Sequence, residues 1–339
     1  MKRRRHILAA AAPAAILSGC FVAAGAAGFN DFAGVVNEGI DGFYQAALVS
    51  GLAGQPRDQG RPAGESILLL TDKISAGSGI GAWRKRLDKE GRDRVKETIK
   101  RDGALGPTGA LTECAETAEI PGVFLCQSFF QNDLNGIFGR LSFYAEGGYE
   151  LGRGTLVDTK NWELVALNLT TQGHDLKRGD LLEAFGKMSD ACSKGKKDLC
   201  PTPYEAEFYR KILVPISRQY KSFVVLGFSY QAFDTYQSNV GHEMMHAQYF
   251  MIKNYQDAVH EYWLSIPDDK PDSDREKIKK ALAEEGYDPK DDALMENEFQ
   301  AYVLEPGAED DRLGQFVPAH RAPLTQVLRK HGVAPIQVL

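Results

Sequence analysis

The sequence predicts an α+β domain in which a small antiparallel sheet precedes a central helix bearing paired histidines and a mostly helical C-terminal part. Three stretches carry that expectation. Residues Gly122 to Thr171 are rich in aromatic and β-branched side chains and are punctuated by Asn135-Gly136, Gly147-Gly148 and Asp158-Thr159-Lys160-Asn161, which read as turns between strands. His242 to Asn254 contains neither proline nor glycine, and Val240, Met244, Ala247 and Met251 recur at helical spacing. Asp291 to Leu304 opens with acidic residues suited to an N-cap and first turn and stops before Pro306-Gly307, so it predicts a second helix.

The first of these helices carries His242-Glu243-Met244-Met245-His246, an H-E-x-x-H pattern. Spacing of i and i+4 on a helix sets both imidazoles on one face, one turn apart, close enough to share a metal ion. Glu243 then lies beside the metal, where its carboxylate can take a proton from water. The apolar stripe lies roughly 150° around the helix from the histidines, so one side can face a core and the other a cleft.

A catalytic zinc usually has three protein ligands and an open position, so a third ligand is needed downstream. A glycine and a further histidine at fixed distances after His246 would supply one solution, but Tyr249 and Ile252 stand there. The second helix offers another. Its apolar side is Leu294, Met295, Phe299, Ala301 and Tyr302, with Glu298 near the centre and Glu296 roughly opposite. An inward carboxylate needs a partner, either a metal or a basic side chain.

In these motifs the chain resembles the gluzincin class of zinc metallopeptidases, in which H-E-x-x-H is completed by a glutamate on a later helix. Asn297-Glu298-Phe299-Gln300-Ala301-Tyr302 looks like the second motif, with Tyr302 where the pattern has an aspartate that steadies a ligand histidine. The resemblance spans about Ser238 to Leu304. It implies a zincin-like fold, one catalytic Zn²⁺ held by His242, His246 and Glu298, Glu243 as general base, and a peptide or protein substrate laid along a sheet edge. Because of Tyr302, another group must orient the histidine.

Taken from its start, the chain opens with basic Lys2-Arg3-Arg4-Arg5 and a short apolar run from Ile7 to Leu17, a secretory signal too short to span a bilayer. Leu17-Ser18-Gly19-Cys20 resembles a bacterial lipobox, which implies cleavage after residue 19 and a lipid on Cys20. Phe21 after that cysteine points to the outer membrane in a Gram-negative host, and Arg4-Arg5 also resembles a twin-arginine signal. Residues 20–65 read as a Gly- and Ala-rich tether that includes a short amphipathic helix at Asn30 to Leu48, and residues 66–339 as the folded domain. Loss of the four basic residues of the signal takes the formal charge from −6 to −10, which gives the mature chain no electrostatic reason to seek nucleic acid or anionic lipid.

Within the domain, Ile67 to Leu70 is a compact apolar run and Trp83 to Arg101 a charged surface helix. Tyr204 to Gln237 carries a long helical pattern with a heavily apolar backing, Phe223 to Phe228 included. Ser273-Asp274-Arg275-Glu276 is a capping box opening a helix that stops at Gly286. Four cysteines besides Cys20 allow three pairings, and sequence proximity favours Cys114 with Cys126 and Cys192 with Cys200. His174, His260 and His331 read as surface residues, and His320 as a weaker candidate for oxyanion stabilisation left outside the site. The function expected is peptide-bond hydrolysis in the bacterial envelope, against two alternatives: a catalytically silent zincin-fold lipoprotein, and a zinc hydrolase acting on other bonds.

Overall fold

The computed structural model describes residues 67–74, 112–128, 131–147, 152–160, 173–229, 236–268, 270, 272–305 and 312–336. The signal, the tether, its amphipathic helix and the charged helix expected at Trp83 to Arg101 lie outside these residues. Every described residue belongs to the unit Gly51–Leu339.

The architecture is α+β, with a sheet followed by a mostly helical C-terminal part. Among the described residues five strands, β1 (Ile67–Leu69), β2 (Thr112–Glu116), β3 (Val123–Ser128), β4 (Gly173–Lys177) and β5 (Val224–Ser229), lie in the order β1-β2-β3-β5-β4. The sheet is mixed, not antiparallel as expected: β1 runs parallel to β2 and β3 to β5, while β2–β3 and β4–β5 are antiparallel. The reason lies in the connections. Only β3 among these strands falls inside the expected stretch, and Gln131–Glu146 forms a helix, α1, that begins the long crossover from β3 to β5. Leu134, Ile137, Phe138, Leu141, Tyr144 and Ala145 are its buried side, a helical period that the aromatic content of the region obscured. Asn135-Gly136 therefore lies within α1 and is no turn; Gly147, at φ 88°, ends the helix as the turn signal required.

Phe223 to Phe228 is likewise no helix, since it supplies β5. Helix α3 (Pro203–Phe208), a π-helical turn at Tyr209–Leu213 and helix α4 (Val214–Gln219) precede it. Both β3 and β5 are buried at every position, because α1 covers one face and helix α5 (Tyr236–Met251) the other. A strand covered on both faces loses its polar alternation and reads as an unbroken apolar run. Gly227 makes the α1 side possible: a Cβ there would come within 2.8 Å of Phe138. On the other side Val123, Leu125, Val224, Leu226 and Phe228 pack against Val240, Met244 and Ala247, the apolar stripe expected of α5.

The opposite flank of α5 contributes Met245 and Tyr249 to a second core, built with α6 (Lys253–Ser265), α7 (Asp274–Glu285), α8 (Asp292–Leu304) and α9 (Val317–Lys330). Helix α7 ends at Gly286 as expected, but Ser273 caps it without a side-chain hydrogen bond, so the capping box is not closed. Asp291 does cap α8, accepting from Leu294 N at 3.0 Å. Both disulfides form as paired from sequence: Cys114–Cys126 joins directly opposed residues of β2 and β3, and Cys192–Cys200 runs from the last turn of α2 (Arg178–Ser193) and closes the loop after it. No helix among the described residues is long and apolar enough to cross a membrane.

Antiparallel pairing of β4 on β5 sorts its side chains between the two faces. His174 pairs with Gly227 and points to α1, where Ser142 Oγ lies 2.8 Å from Nδ1 and Asn135 Oδ1 3.3 Å from Nε2. His174 is thus buried, contrary to its expected surface position, and burial lowers its pKa from 6.5 to about 3. The network fits a neutral ring with Nε2–H donating to Asn135 and the Ser142 hydroxyl donating to Nδ1. Because the folded pKa is depressed, the stability this ring contributes is complete above pH 6.5 and is lost as pH falls towards 3. At pH 4.5 the loss should approach about 3 kcal/mol. Thermal unfolding at pH 7 and 4.5 should therefore show a smaller acid-induced drop in Tm for His174→Gln than for the parent chain; equal drops would assign the acid sensitivity elsewhere.

Candidate metal centre

Helix α5 lies between the two cores, and this leaves one stripe of its surface for polar groups. His242 and His246 stand on that stripe with ring centroids 4.7 Å apart, and Glu298 reaches them from α8. Glu298 Oε2 is 3.6 Å from His242 Nε2 and 3.6 Å from His246 Nε2. One ligand atom from each of the three residues lies within 4.8 Å of the others. Donors around a four-coordinate ion with bonds of about 2.1 Å stand roughly 3.4 Å apart, so the spacing suits a metal. Chemistry agrees with geometry: Glu298 Oε2 is buried without a hydrogen bond, aimed at two imidazole nitrogens able to coordinate beside it. The group can hold a metal ion, as the sequence motifs implied.

Glu305, which sequence reasoning missed, supplies the orienting group that Tyr302 could not. His242 Nδ1 donates to Glu305 Oε2 at 2.6 Å, which turns Nε2 towards Glu298. Glu305 follows the last residue of α8 and is fixed in turn: Ser238 Oγ donates to its Oε1 at 3.3 Å, and Arg321 Nη2 to its backbone carbonyl at 2.8 Å. Tyr302 instead sets its ring against that of His242, centroids 4.6 Å apart, and its hydroxyl lies 3.4 Å from that of Tyr287, a polar neighbour that helps hold the Glu298 carboxyl low. Tyr287 could not have been found from sequence, since only the turn after α7 brings it here.

Electrostatics follow from burial. Burial alone would make His242 harder to protonate, but Glu298 and Glu305 outweigh it and raise its pKa well above the usual imidazole value. Burial opposes ionisation of Glu298 too, yet His246 and His242 hold its carboxyl below the ordinary range. Glu243 lies under β4, and its pKa is pushed well up, by burial first and then by the charge of Asp175. Burial raises the pKa of both Asp175 and Glu146, that of Glu146 further, with the neighbouring charge of Asp175 adding to it. No sequence spacing could join these two, which lie on α1 and β4 and are distant in sequence.

Other sequence candidates resolve differently. Glu296 does lie away from the centre but is buried: it accepts from Tyr249 OH at 2.9 Å and pairs with His260 Nδ1 at 2.8 Å. His320 is a core residue, its Nδ1 2.9 Å from Tyr262 OH and its ring against Phe299. His331 pairs with Glu261 at 2.8 Å. Cys20 lies outside the described residues. Comparison of the chain with family models, curated proteins and solved structures gives no match.

The geometry separates ligand, orienting and structural carboxylates. Glu298→Ala should abolish tight metal binding, and Glu305→Ala should weaken it about 10- to 100-fold by freeing the His242 ring. Glu296→Ala should leave metal affinity intact while costing about 1–3 kcal/mol of stability, because Tyr249 loses its buried partner. Competitive chelator titration and denaturant melts on the three variants check this; equal metal losses from Glu298→Ala and Glu296→Ala would refute the assignment.

Proposed function

We propose that this chain is a zinc-dependent peptidase of zincin-like architecture. The observation that carries the reading is the convergence of His242, His246 and Glu298 on one point, with Glu243 on the same helix as the histidines and outside the donor set. Two imidazoles and one carboxylate are a donor set that suits zinc and leaves a position open for catalysis. When bound, zinc would supply Lewis-acid polarisation of a carbonyl and acidification of water.

The residues of the chain do the rest. Glu305 keeps the His242 proton on Nδ1, so that Nε2 stays a ligand. The Glu243 carboxylate accepts the proton of the attacking water and returns it to the leaving amine. Its burial suits that task, since a desolvated carboxylate is a stronger base than one in water. Among the described strands β4 ends the sheet order, and it packs along α5, so its outer edge is the natural seat for an extended peptide bound through main-chain hydrogen bonds.

Glu243→Gln keeps side-chain size and helix propensity but removes the proton acceptor. Bound zinc and Tm should stay near those of the parent, and turnover of a peptide found by library profiling should fall about 10²- to 10⁴-fold. A Gln variant cleaving that peptide at the parental rate with zinc bound would refute the mechanism. A parent chain that binds zinc yet cleaves nothing in the library would favour a zinc hydrolase of other bonds or a silent scaffold, which ester and amide substrates then separate.

We place this activity in the bacterial envelope, on the basic and apolar N-terminal run, the lipobox-like Leu17-Ser18-Gly19-Cys20 and the two disulfides, which belong to oxidising compartments. A lipid on Cys20 would be the membrane anchor. Cys20→Ser should then give soluble or unprocessed protein; unchanged mature mass and membrane fractionation would remove the anchor from the reading.

A further inference from the structure

The general base lies against a residue with no side chain. Gly173 opens β4 and, by its antiparallel register with Phe228, stands on the sheet face that α5 covers. A Cβ built on Gly173 would lie 2.3 Å from Glu243 Oε1 and 2.9 Å from both Cδ and Cγ of the same side chain. Carbon cannot approach a carboxylate oxygen that closely, so a methyl group and the present Glu243 conformation exclude each other.

The backbone does not ask for glycine here. Gly173 is absent from the described glycines with left-handed φ, and the neighbouring β4 residues are all non-glycine. A strand glycine without a conformational reason marks a place where something must come close. The thing that comes close is the carboxylate of Glu243.

We infer that Gly173 is a positioning residue for Glu243: the missing side chain is the space in which the general base sits beside the metal centre. Any larger residue displaces the carboxylate while the sheet and the donor set stay in place, because the three contacted atoms belong to one flexible side chain and none to the backbone or to His242, His246 or Glu298. The kinetic consequence rests on the peptidase reading; the structural one does not.

The test is Gly173→Ala in the full mature chain. Its crystal structure should show the Glu243 carboxylate moved, with His242, His246 and Glu298 unmoved, and zinc stoichiometry should match the parent. A carboxylate found at its parental position, or a loss of zinc, overturns the inference. With a cleaved peptide in hand, kcat should fall about a hundredfold with KM nearly constant, the scale on which misplacement by about 1 Å is felt. In a Glu243→Gln background the same change should cost nothing further; an additional loss means that Gly173 acts on something else. If Gly173→Ala alone fails to fold, Gly173→Ala with Glu243→Ala should fold, since the contacted Cγ, Cδ and Oε1 atoms are gone, and failure of the double variant overturns the inference too. If the parent chain cleaves no peptide, the crystallographic result still decides the matter, so failure of the peptidase reading and failure of this one are told apart.

Discussion

Everything at the centre depends on how a buried carboxylate is kept ionised. Glu298 projects from α8 into the contact with α5, where water is scarce, and leaving such a charge alone would cost several kcal/mol. Two imidazoles facing one of its oxygens are the response. The two helices must therefore meet at one fixed height, since sliding by a turn would leave the carboxylate against an apolar side chain. Met245 and Tyr249 of α5 and Met295 and Phe299 of α8, packed in one core, hold that height.

The sheet imposes the second half of the constraint. Its all-buried strands β3 and β5 accept α5 through a stripe of Val240, Met244 and Ala247, which rotates His242, Glu243 and His246 towards the rim of the sheet at β4. That rim alternates in function as well as direction. Gly173, Asp175 and Lys177 face α5, where the first makes room for Glu243 and the last lies over the Phe250 ring at 4.6 Å. His174 turns the other way and ties β4 to α1 through Ser142 and Asn135.

How much of this was legible in the sequence follows from how local each signal is. His242, Glu243 and His246 share one helical turn, so their spacing alone states the geometry, and Glu298 could be placed because it lies on the inner face of its own helix. Pairing of Cys114 with Cys126 and of Cys192 with Cys200 was legible for the same reason of nearness. The strand at Val224–Ser229 was not, because burial on both faces erases the alternation by which strands are recognised. Helix α1 was misread because its aromatic residues and Asn135-Gly136 suggested strands and a turn, though its helical period was present. Glu146 with Asp175, and Gly173 with Glu243, join elements distant in sequence; no spacing rule reaches them.

Glu305 shows why a departure from a motif need not be a loss. A carboxylate one turn beyond Glu298 would be the simplest support for His242, and Tyr302 stands near that place with its ring edge-on to the imidazole. Seven residues beyond Glu298 the helical rotation returns to within about 20° of the same face, so Glu305 can serve as well. The location carries its own cost, because a negative side chain at a helix C-terminus opposes the macrodipole and the last carbonyls there lack partners. Arg321 of α9 answers both difficulties: its Nε donates to Val303 O and its Nη2 to Glu305 O, each at 2.8 Å. A cation at the end of α8 thus lets an anion stand there, and that anion sets the ring of the first histidine of the candidate site. The orientation of His242 is in this way a property of how α9 docks on α8, two helices that contribute no donor atom to the centre apart from Glu298.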